Sequence, residues 1–115
     1  MITIFEGFRF DTEARHLARG NESVPLTPLA YRLLQILLER RPDALSKEEL
    51  HERLWPGTYV SDANLANLIS DLRRAFGDDG RTIVRTIHRF GYAFGAEATD
   101  VARTPHLEIA RKRSQ

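Results

Sequence analysis

Residues 61–92, SDANLANLISDLRRAFGDDGRTIVRTIHRFGY, limit the possible folds more than any other stretch of the chain. Leu65, Leu68, Ile69, Leu72 and Phe76 recur at spacings of three and four, which puts them on one face of a helix over residues 61–76. At about 100° per residue, the opposite face carries Ala63, Asn67, Ser70, Asp71 and Arg74, with Asn64 and Arg73 on the flanks. Gly77 to Gly80 then form a turn. Beyond it, Ile83 and Ile87 fall on one side of a strand, and Phe90, Tyr92 and Phe94 on one side of the next. Gly91 sits where the backbone needs a positive φ or a close approach. An amphipathic helix followed by a hairpin cannot bury its apolar face alone, so the preceding residues must supply the partner.

They supply two kinds of element. Ile2 and Ile4, then Phe8 and Phe10, alternate with other residues, and Glu6-Gly7 is a tight turn between them. His16 to Arg19 and Ser23 to Leu26 continue the pattern, giving a four-stranded antiparallel meander with one buried face. Thr27-Pro28 opens a helix with a hydroxyl at the N-cap and proline at the first helical position. Leu29, Ala30, Leu33, Leu34, Ile36, Leu37 and Leu38 make that helix apolar around much of its circumference, as a central core helix is, and Pro42 ends the run. Ser46-Lys47-Glu48-Glu49 is a capping box, in which Ser46 and Glu49 satisfy each other's free amides at the start of a second helix. Trp55-Pro56-Gly57 breaks it. The whole is an α+β domain over residues 1–95: an N-terminal four-stranded sheet, three helices and a C-terminal hairpin over 82–94. Residues 96–115 read as a tail or linker, with basic Arg103, Arg111, Lys112 and Arg113.

Several chemistries are poorly served. The chain has 115 residues, enough for one domain, and no cysteine, so disulfides, thiolate zinc sites and cysteine nucleophiles are excluded. That composition suits a reducing cytoplasm. The run Leu33–Leu38 is far too short for a membrane span, and MITIFEGF lacks the features of a signal peptide. The four histidines (16, 51, 88, 106) show no metal-site spacing, and no GxSxG, phosphate loop or GxGxxG occurs. No catalytic residue, metal or cofactor is expected. A helix face that is small, amide-bearing and cationic, followed by an Arg/His hairpin, suits a DNA groove. Over residues 61–95, however, five arginines oppose four aspartates, leaving only +1. A module that binds protein and not DNA is therefore the alternative reading.

The order of strands, three helices and hairpin, with motifs to match, resembles the C-terminal DNA-binding domain of OmpR/PhoB-type transcriptional regulators, a winged helix-turn-helix. It is similar above all to the receiver-less branch that includes CadC/ToxR-like regulators. The matching runs are ValProLeuThrPro at 24–28, LeuLeu at 33–34, SerLysGluGluLeu at 46–50 and LeuTrpProGly at 54–57. ValSerAspAlaAsnLeu at 60–65, IleSerAspLeuArgArg at 69–74, GlyAspAsp at 77–79 and ArgThrIleHisArgPheGlyTyr at 85–92 complete the ordered set. The resemblance implies sequence-specific binding of double-stranded DNA, with helix 61–76 in the major groove and the wing at the minor groove and backbone. Asn64, Asn67, Ser70 and Asp71 would then face bases, while Trp55, Arg73, Arg74, Thr86, His88, Arg89 and Tyr92 would meet phosphates or belong to the wing. Arg73, nearer the core flank, could instead pair with a carboxylate inside the fold, Tyr92 could equally be a core aromatic, and Asp71 could pair with Arg74 at i, i+3 and merely orient it. The resemblance also implies binding as a homodimer on tandem sites, and contact of loop 56–60 with RNA polymerase. Ser70 and Asp71 depart from the arginines common at those positions in the family.

Overall fold

The computed structural model describes residues 1–101. The basic positions Arg103, Arg111, Lys112 and Arg113, and with them most of the tail reading, lie outside the described residues. Strands β1 (Ile2–Phe5), β2 (Phe8–Asp11), β3 (His16–Arg19) and β4 (Glu22–Ser23) form the antiparallel meander expected from the sequence. A fifth strand, β8 (Thr99–Val101), pairs with β1 on its free edge, so the sheet order is β4-β3-β2-β1-β8. Residues 99–101 therefore belong to the sheet and not to a tail. What holds them is Asp100. It accepts a hydrogen bond from the Thr3 hydroxyl at 2.8 Å and one from Arg41 Nη2 at 2.9 Å. Those two bonds, Thr3 first, hold its carboxyl below the usual carboxylate range.

The face of β1 differs from expectation. Thr3 and Phe5 are buried and Ile4 is 43% exposed, a shift of one residue. The turn decides it. Glu6 and Gly7 both have positive φ, as a two-residue hairpin turn with primed geometry requires, and this pairs Phe5 with Phe8 and Ile4 with Arg9. Phe5 and Phe8 must then share a face. They do so with Phe76 and Phe94 in an aromatic cluster whose ring centroids lie 5.0–5.8 Å apart.

Helix α1 (Pro28–Arg40) is the central element: Ala30, Leu33, Leu34, Ile36, Leu37 and Leu38 are all buried. Thr27 caps it, its hydroxyl accepting from the Ala30 amide at 3.2 Å. Helix α2 (Lys47–Leu54) is capped by Ser46, but the reciprocal arm of the capping box is absent, because Glu49 pairs with Arg40. Ser46 is engaged in sheet pairing instead. With Leu45 it makes β5 (Leu45–Ser46), a strand too short to be seen as an alternation, which adds to the wing.

Helix α3 (Asp62–Phe76) follows after a seven-residue connection and buries Leu65, Leu68, Ile69, Leu72 and Phe76, the five residues expected. The Gly/Asp turn is a 3₁₀ turn, Gly77–Asp79, running into a single helical turn α4 (Gly80–Ile83). Ile83 thus belongs to a helix and not to the first wing strand. Strands β6 (Val84–Ile87) and β7 (Gly91–Phe94) form the hairpin, in the order β5-β7-β6. Ile87 pairs with Gly91, so His88, Arg89 and Phe90 form the loop, and Phe90 is exposed in it, not on the inner side of a strand. Among the described residues, no helix is long and apolar enough to cross a membrane.

Candidate nucleic-acid interface

Because α3 buries one face completely, its opposite face is presented outward over fifteen residues, about 22 Å of helix. Asn64, Asn67, Ser70, Asp71 and Arg74 are all exposed there. The side chains of Asn64, Asn67 and Ser70 have no partner among the described residues, so their donors and acceptors face solvent. Asp71 is engaged: its Oδ1 accepts from Arg74 Nη1 at 3.1 Å, three residues along the helix. This i, i+3 pair orients Arg74 and offsets the charge of the aspartate.

Arg73 occupies a different position. Its Nε–H and Nη2–H both reach the Val84 carbonyl, at 3.0 and 2.6 Å, and Nη2 also donates to the Thr86 hydroxyl at 2.7 Å. Its guanidinium carbon lies 5.8 Å from the centre of the Tyr92 ring. Burial, and then the charge of Arg81, lower its pKa from the ordinary arginine value. Of the two roles the sequence left open, the geometry corresponds to the inner one, though with a carbonyl and a hydroxyl as acceptors and not a carboxylate. Arg73 ties the outward-facing helix to the wing. Tyr92 is half-buried on the core beneath it, paired with Leu45 on one side and Thr86 on the other.

The wing tip is held at both ends. The Phe90 amide donates to the Ile87 carbonyl at 2.9 Å, and the Phe90 carbonyl accepts from the Lys47 amide at 3.1 Å. Between them Arg89 has φ +61°, a left-handed conformation that glycine adopts freely and arginine does not. His88 and Arg89 are exposed on either side of the turn. At the other end of the face, Trp55 closes α2, half-buried against the core and 5.7 Å from the His51 ring. Its indole N–H has no partner among the described residues.

Two of the four aspartates in residues 61–95 are engaged from outside that segment. Asp62 lies 3.1 Å from His51 Nε2, and Asp79 lies 3.6 Å from Arg19, both partners coming from outside the 61–95 segment. Arg81, Arg85 and Arg89 have no hydrogen bond or ion pair among the described residues. Arg81 was not singled out in the sequence. Its place at the foot of α3 depends on Gly80, which packs so closely on the backbone of Arg73 that a Cβ there would strike the Arg73 carbonyl oxygen. No periodicity encodes that contact.

An outward helix braced against a hairpin, over a three-helix core backed by a sheet, is a winged helix-turn-helix. The chain belongs to the family of C-terminal domains of transcriptional regulatory proteins, whose model matches residues 20–94; it is a DNA-binding domain of transcription-regulator type. The cholera toxin homolog transcriptional activator of Vibrio parahaemolyticus is 37% identical to it over 92 residues, covering 74% of this chain and 32% of that protein. Response regulator GtcR of Aneurinibacillus migulanus is 35% identical over 83 residues, 69% of this chain and 34% of that protein. The chain spans about a third of the length of these curated relatives. Among solved structures, the DNA-binding domain of E. coli CadC superposes with a TM-score of 0.77 over 87% of this chain and 96% of that one; at 18% identity the likeness is one of fold alone. The Klebsiella pneumoniae RstA DNA-binding domain, solved in complex with the RstA box, gives a TM-score of 0.71 at 26% identity, over 81% of this chain and 96% of that one.

Proposed function

We propose that α3 lies in the major groove of duplex DNA, that Asn67 reads a base there, and that the wing grips the adjacent minor groove and backbone. The observation that carries this reading is the free amide face of α3, fixed relative to the wing by Arg73. Asparagine can bond the N6/N7 edge of adenine in bidentate fashion, and Asn64 and Ser70 flank Asn67 at one turn or less. Trp55, Arg74, Thr86, His88 and Arg89 supply donors for phosphates on both sides of the groove. Asp71 acts through Arg74 and reads no base directly. A single helix reads few bases, so two copies on tandem half-sites are expected, about one helical turn apart. The loop 56–60, where Tyr59 is 92% exposed, is the surface proposed for RNA polymerase, testable by crosslinking from residue 59 to the purified enzyme.

Titration on pooled random duplexes, with sequencing of the bound fraction, tests the reading. With about three phosphates neutralised, affinity should fall about 40-fold between roughly 50 and 200 mM salt, and one half-site should be enriched. Retention that ignores salt, or none at all, would transfer the weight to the protein-binding alternative. Within the site, Asn67→Ala should cost about 1–3 kcal/mol on the selected site and little on scrambled DNA. Equal losses on both would remove Asn67 from base readout.

Arg89 allows fold and function to be separated. Arg89→Gly relieves the left-handed strain at the wing tip, so stability should hold or rise by up to about 1 kcal/mol. DNA affinity should fall on every sequence, with the salt slope smaller by about one unit. An unchanged slope, measured on the folded variant, would mean that Arg89 touches no phosphate.

A further inference from the structure

At the C-terminal end of α3 a hollow opens onto the same side as the outward face, with Ser70 and Arg74 on its wall and Gly77 and Gly80 at its foot. Three arginines, 73, 74 and 81, line it, opposed by one carboxylate, Asp78. Their states differ. Arg73 is engaged with Val84 and Thr86, and Arg74 with Asp71, while Arg81 is exposed and has no partner among the described residues. We infer that this hollow is a phosphate-binding site, with Arg81 as its principal cation and the Ser70 hydroxyl as a neutral donor.

Two features support an anion there. The backbone brings Arg81 to Arg73 with no ion pair on either among the described residues: Gly80 seats the turn on the Arg73 backbone, which carries Arg81 beside α3. The charge of Arg81, after burial, also lowers the pKa of Arg73, so the two guanidinium groups are near enough to act on each other. A phosphate is the anion that such a group of cations suits, because guanidinium groups bond phosphate oxygens at short range. Ser70 and Arg74 also belong to the proposed groove-facing surface, so a DNA phosphodiester just beyond the reach of α3 is the expected source. That part rests on the DNA-binding reading; the site itself does not.

The experiment has two arms, each on the full chain. In the first, Arg81→Gln and Asp78→Asn are compared with the wild type on duplex DNA over roughly 50 to 200 mM salt. Arg81→Gln should lower the salt slope by about one unit, making the salt-induced loss of affinity about 3.5-fold smaller. Asp78→Asn, which removes the opposing charge, should tighten binding. In the second arm, inorganic phosphate is titrated at constant ionic strength while the amide resonances of Ser70, Gly77 and Gly80 are followed by NMR. Shifts in the wild type that vanish in Arg81→Gln support the site whether or not DNA binds. Phosphate shifts with an unaltered DNA slope would assign the hollow to a free anion. Absence of phosphate shifts, together with an Arg81→Gln slope equal to that of the wild type, overturns the inference. If the wild type fails to bind DNA, the groove reading fails and the phosphate arm alone decides the hollow. Both substituted residues are exposed and lie outside the hydrophobic core, so folded variants are expected.

Discussion

Gly91→Ala should destabilise the domain by about 3 kcal/mol or more, read as a fall in the midpoint of urea or thermal unfolding. That is a large share of a typical domain stability of about 5–15 kcal/mol. The φ of Gly91 is not left-handed, so the backbone conformation itself would admit alanine. What forbids it is proximity. A Cβ would run into the Leu45 carbonyl oxygen and stand 3.0 Å from the Cα of Ser46, and both are backbone atoms that no rotamer change can move. Strand β5 would have to retreat from β7. That breaks the pairing of Leu45 with Tyr92 and strains the Lys47 amide bond to the Phe90 carbonyl. Leu45 is fully buried, so its retreat also opens the core at the foot of α2. A variant within about 0.5 kcal/mol of the wild type would mean that β5 does not lie against the wing.

That same contact marks a limit of what the sequence could reveal. Gly91 was legible as a position needing either a positive φ or a close approach; the structure selects the second, and its partner was not legible because a two-residue strand carries no alternation to detect. Strand β8 was hidden for a different reason: Asp100 is held by Thr3 and Arg41, both distant in sequence. The face of α3 was legible in full, since helical periodicity is a local property and five apolar residues set one stripe. For β1, the alternation Ile2/Ile4 pointed outward while Thr3 and Phe5 went in. The deciding information was present in the Glu6-Gly7 turn, which forces Phe5 to share a face with Phe8. Turn geometry outranked hydrophobicity. The outward residues of the candidate site were legible as exposed, and the i, i+3 pairing of Asp71 with Arg74 was legible from their spacing, but the contacts made across the turn were not. Whether Arg73 and Arg81 are free or engaged depends on how the chain reverses through Gly77–Ile83, and that reversal brings the Val84 carbonyl to Arg73.

Arg73→Met should weaken both the fold and the binding, and the pattern of losses identifies the role. Methionine keeps an unbranched apolar side chain at the position while removing the guanidinium and its place over the Tyr92 ring. Hydrogen bonds from a charged donor to neutral acceptors contribute about 1.5–3 kcal/mol each. With the guanidinium partly exposed and water able to replace some of them, a stability loss of about 2–3 kcal/mol is expected in total. The consequence for DNA follows from preorganisation: α3 and the wing lose the strut that sets their spacing, so affinity should fall about tenfold or more on cognate and scrambled duplexes alike. A strut contributes no phosphate contact, so the salt slope should stay at its wild-type value while the affinity drops. A phosphate clamp behaves in the opposite way: its loss lowers the slope by about one unit. Arg73→Lys gives an independent check. An ammonium restores the charge but not the fork that reaches Val84 and Thr86 together, so lysine should rescue a clamp and fail to rescue a strut. Recovery of wild-type affinity by lysine would return Arg73 to the phosphate-contacting residues and leave the coupling of helix to wing to Tyr92 and the sheet.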